Sequence, residues 1–224
     1  MYGWTGQTLR VDLTAGTVAR EATDMADARA YLGCRGLGGK IIRDEVPADA
    51  DPLGPANKIV FSAGPLTGTF APSAGRYEVS TKAPLNNVIA SSNSGGAFGS
   101  ELKYAGYDAI VVEGKAARPM YLWIRNDEVE LRDAAAIWGH DTQDTTDLVR
   151  AETDEDAKVA CIGPAGEHLS PIANIMNEMH RAAGRSGVGA VMGSKNLKAI
   201  AVMGTGAVRV ADPERFKAAV MKAR

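Results

Sequence analysis

Short apolar runs and period-two alternations, separated by glycine-rich turns, recur along the whole chain. Gln7–Leu13 alternates polar with apolar, and Thr17–Glu21 follows after Thr14-Ala15-Gly16, which together predict a β-hairpin. Asp24 is placed to cap a short helix that runs through Leu32 and stops at Gly33. The stretch Arg35-Gly36-Leu37-Gly38-Gly39-Lys40 leads into a second helix ending near Pro47. Strands are predicted at Lys58–Ala63, Arg76–Thr81 and Val88–Ser92, followed by a helix opened by Gly95-Gly96 and reaching about Ala105. Asp108–Glu113 is an apolar strand, and Met120–Arg125 with Glu128–Leu131 forms a hairpin around Asn126-Asp127. A helix spans Asp141 to about Thr153, and strands are expected at Lys158–Ile162, Ile172–Met176 and Lys198–Met203. Asp212-Pro213-Glu214 starts a last helix, with cap, first-turn proline and acid in order. That helix is still running at Arg224, so a natural chain that continues is expected.

Two stretches of this pattern resemble one another. Lys58-Ile59-Val60-Phe61-Ser62-Ala63-Gly64-Pro65 is matched by Lys158-Val159-Ala160-Cys161-Ile162-Gly163-Pro164, one residue shorter. Phe98-Gly99-Ser100 followed by Ala109–Gly114 is matched by Met192-Gly193-Ser194 followed by Ala199–Gly204. Apolar strands ending in glycine are common in any protein that mixes helices and strands, which is one explanation. The other is an internal duplication into two similar α+β subdomains, with half-repeats at about 57–114 and 157–204. Two glycine-rich loops about a pseudo-twofold axis would suit a ligand that is itself nearly two-fold symmetric.

Composition narrows the partners. A net charge of −2 argues against a polyanion-binding surface, so nucleic acid is not an expected partner. No segment approaches the apolar length of a membrane span, and no signal peptide opens the chain, so a cytoplasmic protein is expected. Cys34 and Cys161 are too far apart for a metal knuckle and too few for a disulfide framework; they read as small buried fillers.

The densest chemistry lies at residues 180–200, where Arg181, Arg185, Lys195, Lys198 and repeated glycines form a turn running into an apolar strand. Glycine lets a backbone approach a ligand closely, and arginine presents a planar fork to phosphate or to a fused ring system. A large phosphorylated cofactor is the expected occupant. An ordinary nucleotide is disfavoured: neither Gly38-Gly39-Lys40-Ile41 nor Gly193-Ser194-Lys195-Asn196 has the hydroxyl residue a P-loop requires after lysine. Gly187-Val188-Gly189-Ala190-Val191-Met192 also lacks the third small residue and the leading strand of a dinucleotide fingerprint. Upstream, Asn93 ends a strand and Gly95 stands at the mouth of a helix, where unpaired N–H groups face anions. Asn93 offers an oxygen suited to Mg²⁺, although Asn93 and Ser94 would equally serve as helix caps. Arg76 alone reads as a surface ion pair, and His180 is the histidine nearest the loop.

The segments Ala63-Gly64-Pro65-Leu66-Thr67-Gly68-Thr69, Gly75-Arg76-Tyr77, Asn93-Ser94-Gly95-Gly96, Gly106–Gly114, Ile162-Gly163-Pro164-Ala165-Gly166-Glu167 and 180–200 share a further property. Together they resemble the N-terminal domain of the tungsten-dependent aldehyde ferredoxin oxidoreductases, from about Tyr2 to Gly204. The resemblance implies two similar α+β subdomains forming the base for a bis-pterin tungsten (or molybdenum) cofactor. It also implies a domain over residues 1–206, with 207–224 starting a following helical domain. Carried over by residue, Asn93 (side chain) and Ala182 (backbone carbonyl) would hold a Mg²⁺ bridging the pterin phosphates. Arg76, Ser94, Gly95, Arg181, Ala183, Gly184 and Arg185 would complete the cofactor contacts.

The activity implied is oxidation of an aldehyde to a carboxylic acid, with electrons passed to ferredoxin or a similar iron–sulfur subunit. Two cysteines cannot ligate the family's four-iron cluster, which is expected only from a later domain, and no catalytic residue is assigned here. A non-catalytic pterin carrier and the base of a benzoyl-CoA-reducing relative are the alternatives, and a homo-oligomer is left open.

Overall fold

The computed structural model of the chain describes residues 2–223. Met1 and Arg224, and with Arg224 the expectation that the last helix runs through it, lie outside the described residues. The first half contains β1 (Gln7–Asp12), β2 (Thr17–Ala22), α1 (Met25–Tyr31), α2 (Cys34–Glu45), β3 (Ile59–Ala63), β4 (Tyr77–Lys82), β5 (Ile89–Ser94), α3 (Phe98–Tyr104) and β6 (Ala109–Glu113). The second contains β7 (Met120–Arg125), β8 (Glu128–Asp133), α4 (Thr142–Glu152), β9 (Lys158–Cys161), the single turn α5 (Pro164–Glu167), β10 (Ile175–Asn177), β11 (Arg181–Ala183), α6 (Val188–Ser194) and β12 (Leu197–Met203). Helix α7 (Pro213–Ala223) follows.

Local chemistry sets many of the ends. Asp24 accepts from the N–H groups of Ala26 and Asp27 at 2.7 and 3.1 Å, and left-handed Leu32 ends the same helix. Asp141 caps α4 in the same way at 2.9 Å to both Gln143 and Asp144. Asp212 accepts from Arg215 N–H at 3.0 Å at the start of α7.

Each half builds a six-stranded sheet, in the orders β2-β1-β6-β3-β4-β5 and β8-β7-β12-β9-β10-β11. In both, the outer hairpin joins the last strand of its half in parallel, and every other pairing is antiparallel. The two sheets are therefore topologically alike strand for strand. The likeness takes in the hairpins β1–β2 and β7–β8 as well as the segments matched by sequence. One pairing differs from the sequence match. Phe98-Gly99-Ser100 opens α3, whereas Met192-Gly193-Ser194 closes α6, so Gly99 corresponds structurally to Gly189. Both of those glycines lie against the backbone that leads into the fourth strand of their half.

The main core lies between the sheets. Phe61, Tyr77, Val79 and Ile110 from one half meet Leu122, Ile162, Ile175 and Ile200 from the other, with Phe98, Leu102, Val188 and Met192 supplied by α3 and α6. On the outer faces, α2 covers the first sheet through Ile42, with Val46 directly after it, and α4 covers the second through Val149. This α+β stack has two of its four edge strands, β5 and β11, side by side at one end.

Helix α6 replaces part of what reads as a turn at 180–200. All seven of its residues are buried, so no polar stripe marks it as helical, and its two glycines argue against a helix. Their role is close approach. A Cβ at Gly189 would overlap the carbonyl of Asn174, and one at Gly193 would overlap that of Gly166. The expected strand at Ile172–Met176 forms instead at Ile175–Asn177, leaving Ile172 exposed.

Candidate functional site

Following the ladders across each sheet locates the site. In the first, pairing runs Ala109–Ser62–Glu78–Asn93. In the second it runs Ala199–Cys161–Met176–Ala182. Both ladders start from residues already matched by sequence, so Asn93 and Ala182 occupy equivalent rungs of equivalent edge strands. The next positions also correspond: Ser94 with Ala183, and Gly95 with Gly184.

Asn93, Ala182, Gly184 and Arg185 line one cleft of ≈ 460 Å³ together with Arg35, Ser91 and Ser92. Arg76 reaches it by donating from Nη1 to Asn93 Oδ1. Arg185 N–H donates to Ser92 Oγ at 3.0 Å, fixing the turn after β11 against β5. Arg181 lies across Gly95, with Nη1 3.3 Å from where a Cβ would stand there. Four exposed guanidinium groups (Arg35, Arg76, Arg181 and Arg185) thus surround a gap between two strand edges. Two carboxylates offset them. Glu78, buried in β4, accepts from Ser91 Oγ and lies 3.7 Å from Arg35 Nε; Glu178 lies 3.7 Å from Arg181 Nε.

The sequence-predicted residues therefore converge, but with different tasks. Ser94 and Ala183 turn their side chains into the core, so only their backbones can face a ligand. Ser94 Oγ donates to Asn177 Oδ1 at 2.6 Å, and Asn93 bonds Arg76, so neither caps a helix. Gly95 does not stand at the helix mouth: α3 begins at Phe98 with Ala97 as its cap residue, and the N–H of Ala97 is taken by Glu178 Oε1. His180 is exposed on the turn between β10 and β11.

Sequence reasoning passed over Arg35, Asn177 and Glu178. Asn177 is 1 % exposed and joins the halves: it accepts from Tyr77 Oη at 3.2 Å and donates to Gly95 O at 2.9 Å. Burial pushes the Tyr77 phenol far above its ordinary range, which keeps it a neutral donor. The polar pair Asn177-Glu178, directly after the apolar Ile175-Met176, was the available signal.

Chemically, the cleft offers cations, bare glycine backbone and one side-chain amide oxygen. That donor set fits a dianionic or doubly phosphorylated ligand and a hard cation. Among the described residues no three His, Cys, Asp or Glu side chains gather to bind a metal. No helix among them is long and apolar enough to cross a membrane.

Comparison with known proteins agrees with this geometry. Residues 8–204 match the model of the aldehyde ferredoxin oxidoreductase N-terminal domain. The chain is 54 % identical over 217 residues to the tungsten-containing aldehyde ferredoxin oxidoreductase of Pyrococcus furiosus, covering 96 % of this chain and 36 % of that protein. It is 36 % identical to the WOR-like subunit of an aliphatic sulfonate oxidoreductase from the same organism, covering 97 % of this chain and 37 % of that one. Among solved structures, the active-site complex BamBC of benzoyl coenzyme A reductase superposes with a TM-score of 0.96 at 43 % identity, covering 99 % of this chain and 34 % of that one. The chain thus spans about a third of the length of these relatives. It belongs to the aldehyde ferredoxin oxidoreductase family, and its residues 8–204 correspond to that family's N-terminal domain.

Proposed function

We propose that this chain is the cofactor-binding portion of an oxidoreductase that oxidises aldehydes to carboxylic acids and passes the electrons to ferredoxin or a similar iron–sulfur protein. The observation that carries the reading is the equivalence of Asn93 and Ala182 across two like halves, in one arginine-rimmed cleft. A bis-pterin cofactor has two similar phosphate-bearing arms, and the two like halves of the fold would hold one each. The tungsten-containing relatives support the same occupant. When bound, the cofactor supplies two-electron redox chemistry at tungsten.

This chain's own residues bind and orient. Asn93 Oδ1 carries two lone pairs, so the bond from Arg76 leaves one free, and Asn93 with the Ala182 carbonyl would hold a Mg²⁺. Arg76, Arg181 and Arg185 would neutralise phosphate charge, while Gly95 and Gly184 would let the pterins approach the backbone. The backbones of Ser94 and Ala183 hold these positions in register. The four-iron cluster, the substrate cavity and the residues 207–224 are assigned to a following helical part of the protein, which is expected in the cytoplasm.

The likeness to the BamBC structure favours a second reading, an enzyme that reduces an aromatic thioester on the same base. Elemental analysis of the full-length protein, purified without oxygen from its native host, tests the cofactor. About one tungsten and about four irons per chain are expected. Absence of both tungsten and molybdenum would reject the assignment. Aldehyde-dependent against benzoyl-CoA-dependent electron transfer then separates the two readings.

A further inference from the structure

Glu178 sits in the three-residue loop between β10 and β11, and the backbone there is unusual. Glu178 and Met179 both have positive φ, +49° and +62°, in a hairpin loop without glycine. Non-glycine residues in that region are strained, and consecutive ones persist only where the surroundings hold them. Three contacts do so here. Glu178 Oε1 accepts from the N–H of Ala97, in the first half. Its Oε2 lies over Gly96, where a Cβ would overlap it. The same carboxylate stands 3.7 Å from Arg181 Nε. Asn177, the preceding residue, is bonded to Tyr77, Ser94 and Gly95 of the first half.

We propose that Glu178 is a positioning residue for the cofactor: it fastens the Gly95–Ala97 loop of one half to Arg181 of the other. A carboxylate on the Nε side of a guanidinium leaves the Nη groups free, and Arg181 Nη1 is the atom that lies over Gly95. The carboxylate thus sets which edge of Arg181 faces the cleft, and it sets the spacing of the two edge strands. Gly96 has φ +91°, and a Cβ there would also run into the Glu178 carboxylate and Arg181 Cδ. This inference rests on the cofactor reading above.

The test uses the full-length, cofactor-loaded enzyme and follows release of tungsten into a chelator over time, alongside tungsten content as isolated. Glu178→Ala removes both the N–H acceptor and the charge, and release roughly tenfold faster is expected, as for other groups that orient a ligand-binding residue. Glu178→Gln keeps an oxygen for Ala97 but loses the charge, so it should fall between the two. It also serves if the alanine variant does not fold. In the double variant Glu178→Ala/Arg181→Ala, release should rise by less than the two single effects combined, because part of what the glutamate does passes through the arginine and the rest through Ala97. Unchanged release in both Glu178 variants, or additive effects in the double variant, would overturn the role of Glu178 while leaving the cofactor reading intact. A wild-type protein that carries no metal would overturn both.

Discussion

Ser94 and Asn177 meet at 2.6 Å in the buried seam between the two halves, hydroxyl donating to amide oxygen. Tyr77 donates to the same oxygen. Asn177→Ala would leave two buried hydroxyls without an acceptor, at about 1–3 kcal/mol for each orphaned group. Urea denaturation should show the free energy of unfolding lowered by about 1 kcal/mol or more. A variant as stable as the wild type would mean that water replaces the amide.

Lys103 and Asp108 form an ion pair at 2.5 Å with both side chains fully buried. Asp108 also accepts from the N–H groups of Thr5 and Gly6 at 2.9 and 2.8 Å, so it anchors the N-terminal segment to β6. Lys103→Met strands a buried carboxylate, and a loss of about 3–5 kcal/mol is expected. Thermal unfolding of Lys103→Met, Asp108→Leu and the double variant should give a double effect well below the sum. Additivity would deny the coupling.

Acid stability depends on Glu45. Arg10 contacts it with both Nη atoms, at 2.5 and 2.7 Å, and Lys58 reaches it at 2.7 Å. The Arg10 hydrogen bonds, and then Lys58, hold its carboxyl down to about 2 from an ordinary 4.5. A carboxyl held low when folded takes protons less readily than when unfolded, so acid shifts the balance toward the unfolded chain. The contribution is complete above 4.5 and fades as pH falls through about 2. Glu45→Gln should flatten stability against pH in that window. A slope equal to the wild type there would place the acid sensitivity elsewhere.

Burial pushes the thiols of Cys34 and Cys161 up to about 11 each. Since the thiolate is the reactive form, both should resist iodoacetamide at neutral pH in the folded protein and react fully in denaturant. Mass spectrometry of the alkylated protein distinguishes the two states. Rapid native labelling of either would show that its surroundings open.

Asn93→Ala, made in the full-length enzyme, should lower tungsten content as isolated while leaving the free energy of unfolding within about 0.5 kcal/mol of wild type, as expected for an exposed side chain. Full tungsten occupancy would remove Asn93 from the proposed Mg²⁺ site.

Most of the elements and the likeness between the halves were legible in the chain, because alternation, caps and glycine turns act over a few neighbouring residues. Asp24 and Asp141 announce their helices locally, and Asn93, Arg181 and Arg185 lie in segments whose family resemblance is carried by sequence. What the tertiary structure decided depends on contacts between residues far apart. Helix α6 has no polar face to betray it, since both sheets bury it. Ser94 and Asn93 are neighbours, yet strand pleating sends one into the seam and the other into the cleft. The meeting of Glu178 with Ala97 joins loops 81 residues apart, a pairing that arises only when the two edge strands come side by side.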